Sequence, residues 1–225
     1  MNSESNRQLF PDSPFPESWP RPERRVFEGQ TVTLMPLDAL RDARGLFAAS
    51  HGTPEIESLW RYLPYGPFES EEAYRKWLEK TTSDDDPLFF TVRRQGQAVG
   101  VISILSIEPS DGRAELGHIW YSPAVQRSKV NTESVYLLLR YLFDDLHYRR
   151  AEWKCNNKNE ASRRAAQRMG FQYEGLFRQH RIIKGENRDT AWFSMLDSEW
   201  PQRKANFERW LYEDTSVSLS QLNNS

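Results

Sequence analysis

A single cysteine, Cys155, stands in a chain of 225 residues. No intramolecular disulfide can form, so the fold must rest on its core, and a reducing cytoplasm is the expected setting. Histidine is scarce as well. His51, His118, His147 and His180 are scattered, and with one thiol they offer no metal-ligand spacing. No metal is expected. The chain lacks any apolar run near ~18 residues, which argues against a membrane-spanning helix. The opening MNSESNRQLFPDSPFP has neither the basic start nor the apolar centre of a secretory signal. An excess of one charge is missing too: the net charge is -2, with no electrostatic pull toward nucleic acid or an anionic membrane. Neither GxGxxG nor GxxxxGK[ST] occurs, which speaks against dehydrogenases and P-loop enzymes.

What is present suits one ordinary domain with tails: 38% hydrophobic residues, 28% charged, and eight tryptophans. Residues 1–25 hold five of the thirteen prolines and read as an extended arm, resting on the body through Phe15 and Trp19. Thr31 to Leu37 alternates as a first strand. Asp38 can cap a helix through Leu40, Leu46 and Phe47. An aromatic loop, Leu59 to Phe68, is broken by Pro64, Gly66 and Pro67. Ser70 opens a second helix with Tyr74, Trp77 and Leu78 on one face. Leu88 to Val92 and Ala98 to Ile107 form a hairpin, and a third strand covers Glu115 to Tyr121. A polar turn, Gln126 to Lys129, leads into a long helix from about Val130 to His147. The strand Ala151 to Cys155, a helix ending at Met169-Gly170-Phe171, and a last strand pair follow. Trp200 to Tyr212 reads as a closing helix, and the polar stretch from Thr215 as a frayed tail. The order implies an α+β layered domain over residues 26–200, with residues 201–225 as helix and tail.

Two places could carry chemistry. The turn at Gln126 to Asn131 opens a helix, so backbone N–H groups there lack intrahelical partners and favour a phosphate or pyrophosphate. Arg127 and Lys129 add positive charge. The plainer alternative is that Asn131 or Thr132 caps the helix and the basic residues face water. Asn159, with Ser162 three residues on, is equally a common helix cap.

Taken in order, these pieces resemble the GNAT acetyltransferase superfamily, and within it the branch that contains the ribosomal-protein N-terminal acetyltransferases. The marks are Glu115-Leu116-Gly117 and Pro123, Gln126 and Asn131-Thr132, Asn159, Ser162, Gly170-Phe171, Glu174-Gly175, Arg188-Asp189 and Ser194-Met195-Leu196. They run from roughly Gln30 to Trp200. The resemblance implies a central mixed, mostly antiparallel sheet flanked by helices on both faces, with a splayed central strand pair. It implies acetyl-CoA as donor and direct transfer to a primary amine, either a protein N-terminal α-amine or a small amine-bearing metabolite or toxin. Backbone groups of Ile119, Trp120 and Tyr121 would hold the thioester end. The turn Gln126, Arg127, Ser128, Lys129, Val130, Asn131 and Thr132 would hold the pyrophosphate. Asn159 would contact the pantetheine arm, and Ser162 would protonate the leaving thiolate. Glu115 is the first candidate base, on the strand lining the acceptor side; a paired or solvated strand glutamate is its plainer reading. His118 has the opposite facing in a regular strand, which a bulge could change, and Cys155 reads as a buried small residue. Trp60, Tyr62 and Tyr65 would wall the acceptor pocket. The family's turn usually carries small residues where this chain has Lys129 and Asn131, and glycine there lets phosphate approach. That departure would also suit a non-catalytic CoA- or ligand-binding module, the alternative function. The acceptor, and whether two copies pair as a homodimer, are left open.

Overall fold

Alternation of apolar residues writes the sheet. In the computed structural model, which describes residues 14–224, eight strands lie in the order β1-β2-β3-β4-β5-β6-β8-β7. They are β1 (Phe27–Glu28), β2 (Thr33–Pro36), β3 (Leu88–Arg94), β4 (Gln97–Glu108), β5 (Arg113–Tyr121), β6 (Arg150–Asn156), β7 (Gln172–Ile183) and β8 (Glu186–Leu196). Only β5 and β6 run parallel; the other neighbours are antiparallel. Successive residues point to opposite faces, so Phe89, Val101 and Trp120 enter one core while Phe90, Ile102 and Tyr121 enter another.

Helices α1 (Ala39–Ser50) and α3 (Glu71–Thr81) cover the first face, through Leu46, Tyr74 and Leu78. Between them lie the one-turn helix α2 (Pro54–Glu57) and a 3-10 turn, Ser58–Tyr62. The other face takes α4 (Lys129–Arg140), its continuation as a π turn (Tyr141–Asp145), and α6 (Trp200–Glu208). Helix α5 (Glu160–Arg168) connects β6 to β7, and α7 (Leu219–Asn224) closes the chain. Side-chain caps start the helices where expected: Asp38 accepts from the Arg41 N–H, and Ser70 from the Ala73 N–H.

Two differences from the sequence expectations have physical causes. The cap of α4 is Ser128, whose Oγ accepts from the Val130 N–H at 3.3 Å, and not Asn131 or Thr132, which lie inside the first turn. The tail does not fray after Thr215. Leu219 and Leu222 are buried, and Asn223 bridges to the Arg168 carbonyl at 2.9 Å. The arm expected over residues 1–25 is visible from Pro14; residues 1–13 lie outside the described residues. Trp19 anchors it. Its N–H donates to Pro109 O at 2.9 Å and its indole to His147 O at 2.6 Å, while Arg149 lies over the Phe15 and Trp19 rings.

Candidate active site

β5 and β6 pair over three residues only, Arg113 to Glu115 with Arg150 to Glu152. Beyond Glu115 the strands part. On its other side β5 carries a bulge: four residues, Gly117 to Trp120, oppose three on β4. His118 absorbs the extra residue with a φ of 51°. The parting opens a cavity of about 320 Å3 reached by Glu115, Gly117, His118 and Ile119 from β5, Trp153 to Asn156 from β6, and Asn159 and Ser162 from α5. Gly117 keeps it open, since a Cβ there would meet Leu105 at 2.8 Å.

Glu115 is buried, and Lys154 Nζ donates to it at 2.8 Å. The same ammonium pairs with Glu152 at 2.8 Å and lies 4.3 Å from the centre of the Trp192 ring. Burial pushes the Glu115 carboxyl up, and Lys154 pulls against that rise. Lys154 and Trp192 were not singled out from the sequence. The signal was there in β6, where Glu152 and Lys154 share a face two residues apart.

Ser162 sits in the first turn of α5. Asn159 caps that helix through its Oδ1, accepting from the Ser162 N–H at 3.1 Å. The Trp153 indole N–H donates to Ser162 Oγ at 2.9 Å. A hydroxyl whose oxygen already accepts keeps its own proton for another acceptor. The neighbouring Cys155 is buried, and burial pushes its thiol up, so it offers little thiolate at neutral pH.

His118 is turned into the cavity by the bulge, reversing the facing it would have in a regular strand. Its Nδ1 is 3.0 Å from the Tyr65 hydroxyl, and its ring lies 5.0 Å from that of Phe89. Burial, then the charges of Arg181 and Arg188, lower its pKa to about 4, so the imidazole is neutral at physiological pH. The aromatic loop divides. Tyr62 lines the cavity and its hydroxyl donates to Lys158 O at 3.1 Å; Tyr65 holds His118. Trp60 is fully buried, its indole donating to Ser50 O at 3.0 Å, so it backs the wall without facing the cavity. Trp120 is likewise buried against Trp60, and of Ile119, Trp120 and Tyr121 only Ile119 lines the cavity, while Trp120 and Tyr121 pair with Val101 and Gly100 of β4.

At the opening of α4, Arg127 takes a left-handed φ of 59° and is exposed, and the Gln126 amide donates to Tyr121 O at 3.1 Å. Lys129 and Asn131 are helical. Glycine at those two positions would therefore supply closeness of approach and not backbone freedom. Lys129 Nζ donates to Leu211 O at 2.5 Å, so its charge is held by the C-terminal segment. Thr132 is buried and accepts from Arg168 at 2.9 Å. The side-chain oxygen of Asn131 is buried without a partner. That oxygen is an acceptor and offers nothing to an anion; what suits the turn to a diphosphate is the free N–H groups of the helix start.

Comparison with known proteins gives the family and the fold. The family model described as the acetyltransferase (GNAT) domain matches residues 31–172. Among solved structures, a GCN5-related N-acetyltransferase from Brucella melitensis is 41% identical, with a TM-score of 0.88 over 93% of this chain and 98% of its own. The ribosomal-protein-serine acetyltransferase of Escherichia coli is 27% identical over 111 residues, which is 49% of this chain and 62% of that protein. The microcin C7 self-immunity acetyltransferase MccE, solved in complex with acetyl-CoA and AMP, shares the fold at a TM-score of 0.67 and 20% identity, over 75% of this chain and 93% of its own. The chain belongs to the GNAT acetyltransferase family and is an acyltransferase enzyme.

Proposed function

We propose that this enzyme transfers an acetyl group from acetyl-CoA directly to a primary amine, a protein N-terminal α-amine or the amine of a small metabolite or toxin, in the cytoplasm. The parting of β5 and β6, with the Ser162 hydroxyl held at its edge by Trp153, is the observation that carries this reading. The gap suits the pantetheine arm, with the Asn159 amide beside it. The turn from Gln126 to Thr132 suits the pyrophosphate. Acetyl-CoA, once bound, supplies a thioester carbonyl open to attack. The chain's residues then have three tasks. Backbone groups of Ile119, Trp120 and Tyr121 orient the thioester. Ser162 gives its proton to the departing sulfur as the carbon–sulfur bond breaks. Glu115, raised by burial yet tied to Lys154, receives through water the proton that the attacking amine sheds. No acyl-enzyme is needed, because an α-amine with a pKa near ~8 is partly neutral in the cell.

Thiol release from acetyl-CoA, followed with a panel of N-terminal peptides and small amines, tests the reading. Ser162→Ala is expected to lower kcat by about 100-fold with CoA affinity kept, the usual weight of a positioned acid. Turnover unchanged by Ser162→Ala would remove the hydroxyl from the mechanism. Glu115→Gln is expected to change the pH dependence of kcat, while kcat/KM keeps the limb set by the acceptor amine's own deprotonation near pH ~8; an unaltered kcat profile would clear Glu115.

A further inference from the structure

β7 and β8 bring two arginines face to face. Arg181 and Arg188 are directly paired across the ladder, and both reach the cavity at the β5–β6 gap. Like charges opposite one another on an antiparallel pair repel. Among the described residues neither guanidinium has a carboxylate within ion-pair distance. The nearby acids are committed elsewhere. Glu115 and Glu152 hold Lys154, Glu174 holds Arg150, and Asp189 accepts from the Gln179 N–H and the Asn187 amide. The repulsion is felt locally. Burial and then Arg181 lower the pKa of Arg188, and both arginines help to keep His118 neutral.

Two donors on this wall are buried and unanswered: Arg188 Nε and the indole N–H of Trp192. A buried donor left without an acceptor costs about 1–3 kcal/mol. Here a charged donor and a neutral one stand together at one cavity. Every unsatisfied group is a donor, and guanidinium forks match the planar oxygens of a carboxylate or the oxygens of a phosphate. None of the residues from Gln126 to Thr132 lines this cavity, so the arginine pair is separate from the turn suited to the pyrophosphate.

We infer that the acceptor is an amine that also carries a carboxylate or a phosphate, and that Arg181 and Arg188, with the Trp192 N–H, hold this anion. The inference rests on the reading of the cavity as the site of acetyl transfer. It has two consequences. Polycationic amines such as polyamines and aminoglycosides are repelled from the cavity. The two positive charges also disfavour the acceptor's ammonium form, which helps to deliver the neutral amine that attacks.

The test compares serine, O-phosphoserinamide, serinamide and spermidine as acceptors in the thiol-release assay. The first two carry a carboxylate and a phosphate; the third carries no anion, and its less basic amine is otherwise the easier nucleophile. One anionic acceptor is expected to exceed serinamide at least 10-fold in kcat/KM, with spermidine inactive, and the better of the two identifies the anion. Arg188→Gln and Arg181→Gln are each expected to collapse that ratio by 10-fold or more. Calorimetry with succinate and inorganic phosphate, on protein saturated with CoA, reads the same site without turnover: one anion binds, and each arginine variant weakens it at least 10-fold. Both variants should melt no lower than the wild type, since repulsion is relieved. Spermidine or serinamide as the preferred acceptor, or anion affinity untouched by both variants, overturns the inference. If the protein neither binds CoA nor releases thiol, the transfer reading fails, and anion titration of the CoA-free protein still decides whether the arginine pair is an anion site.

Discussion

His118 shows how one backbone torsion reassigns a side chain. In a regular strand it faces away from Glu115. With φ at 51° the bulge turns it into the same cavity, against Tyr65 and Phe89. No residue pattern in β5 announces that bulge, so Glu115 was legible as a site residue and the orientation of His118 was not. Burial has a cost that pH reveals. The folded-state pKa is about 4 against 6.5 for a free imidazole. Between those values the unfolded chain binds more protons than the folded one, so stability rises with pH. His118 therefore contributes fully above pH 6.5, and the contribution is lost as pH falls from 6.5 toward 4. The size is at most about 3–4 kcal/mol, from the difference between 6.5 and about 4 at about 1.36 kcal/mol per pH unit. His118→Asn, chosen because asparagine tolerates a left-handed torsion, is expected to flatten the fall of Tm between pH 6.5 and 5 relative to the wild type. Parallel Tm-versus-pH curves for the two proteins would refute the assignment.

Among the elements, α4 does the most to tie distant parts of the chain together. Its cap is Ser128, and one turn later Glu133 is fully buried. The Glu133 carboxylate accepts from the backbone N–H groups of Gln30 at 2.7 Å, Thr31 at 2.8 Å and Val32 at 3.0 Å, from the Thr31 hydroxyl, and from Tyr212 at 3.0 Å. The loop between β1 and β2 thus hangs on a helix a hundred residues downstream. Gly29 permits the approach, because a Cβ there would lie 2.7 Å from the carboxylate carbon. The sequence made α4 legible through its apolar run, and the polar turn marked its start. It did not single out Glu133, whose partners are remote in the chain and are mostly backbone. Glu133→Gln keeps the shape but turns an amide NH2 toward N–H donors. The expected loss is about 3 kcal/mol or more, given that hydrogen bonds to a buried charge contribute about 1.5–3 kcal/mol each. Urea unfolding with an unchanged m-value should show it as a lower midpoint. A loss under about 1 kcal/mol would mean that this loop is held by other contacts.

At the scale of the whole molecule, alternation and the helices placed between strands made an α+β layered domain legible, and the resemblance supplied the mixed sheet with both faces covered. The C-terminal end was read only in part. The family model stops at residue 172; the helix from Trp200 was legible, while the stretch from Thr215 is polar enough in sequence to suggest fraying. Folded, the segment from Trp200 onward completes the core on the α4 face. Trp200, Phe207, Leu211 and Leu219 are at most 3% exposed. Its polar groups finish networks that begin elsewhere. The Trp200 indole and Lys204 both donate to Asp144, Glu208 accepts from Tyr136, Leu211 O accepts from Lys129, and Asn223 reaches Arg168 O. Burying a large apolar side chain contributes roughly 1.5–3 kcal/mol, so losing four of them removes an amount comparable to the ~5–15 kcal/mol that holds a domain folded. A chain ending at Ser198 is therefore expected to lack a cooperative melt by circular dichroism. A chain ending at Asp214 loses Leu219, Leu222 and the hydrogen bonds that tie Leu222 and Asn223 to Asn206, Arg168 and Arg203, and should fold with a lowered Tm. The pair of truncations separates two roles. If the chain ending at Ser198 melts cooperatively near the wild-type Tm, the sheet and α4 are self-sufficient and the C-terminal segment serves only to hold Lys129 at the turn. If only the chain ending at Asp214 folds, α6 and the π turn that continues it, Arg209–Glu213, are part of the core, and the turn that opens α4 depends on this segment.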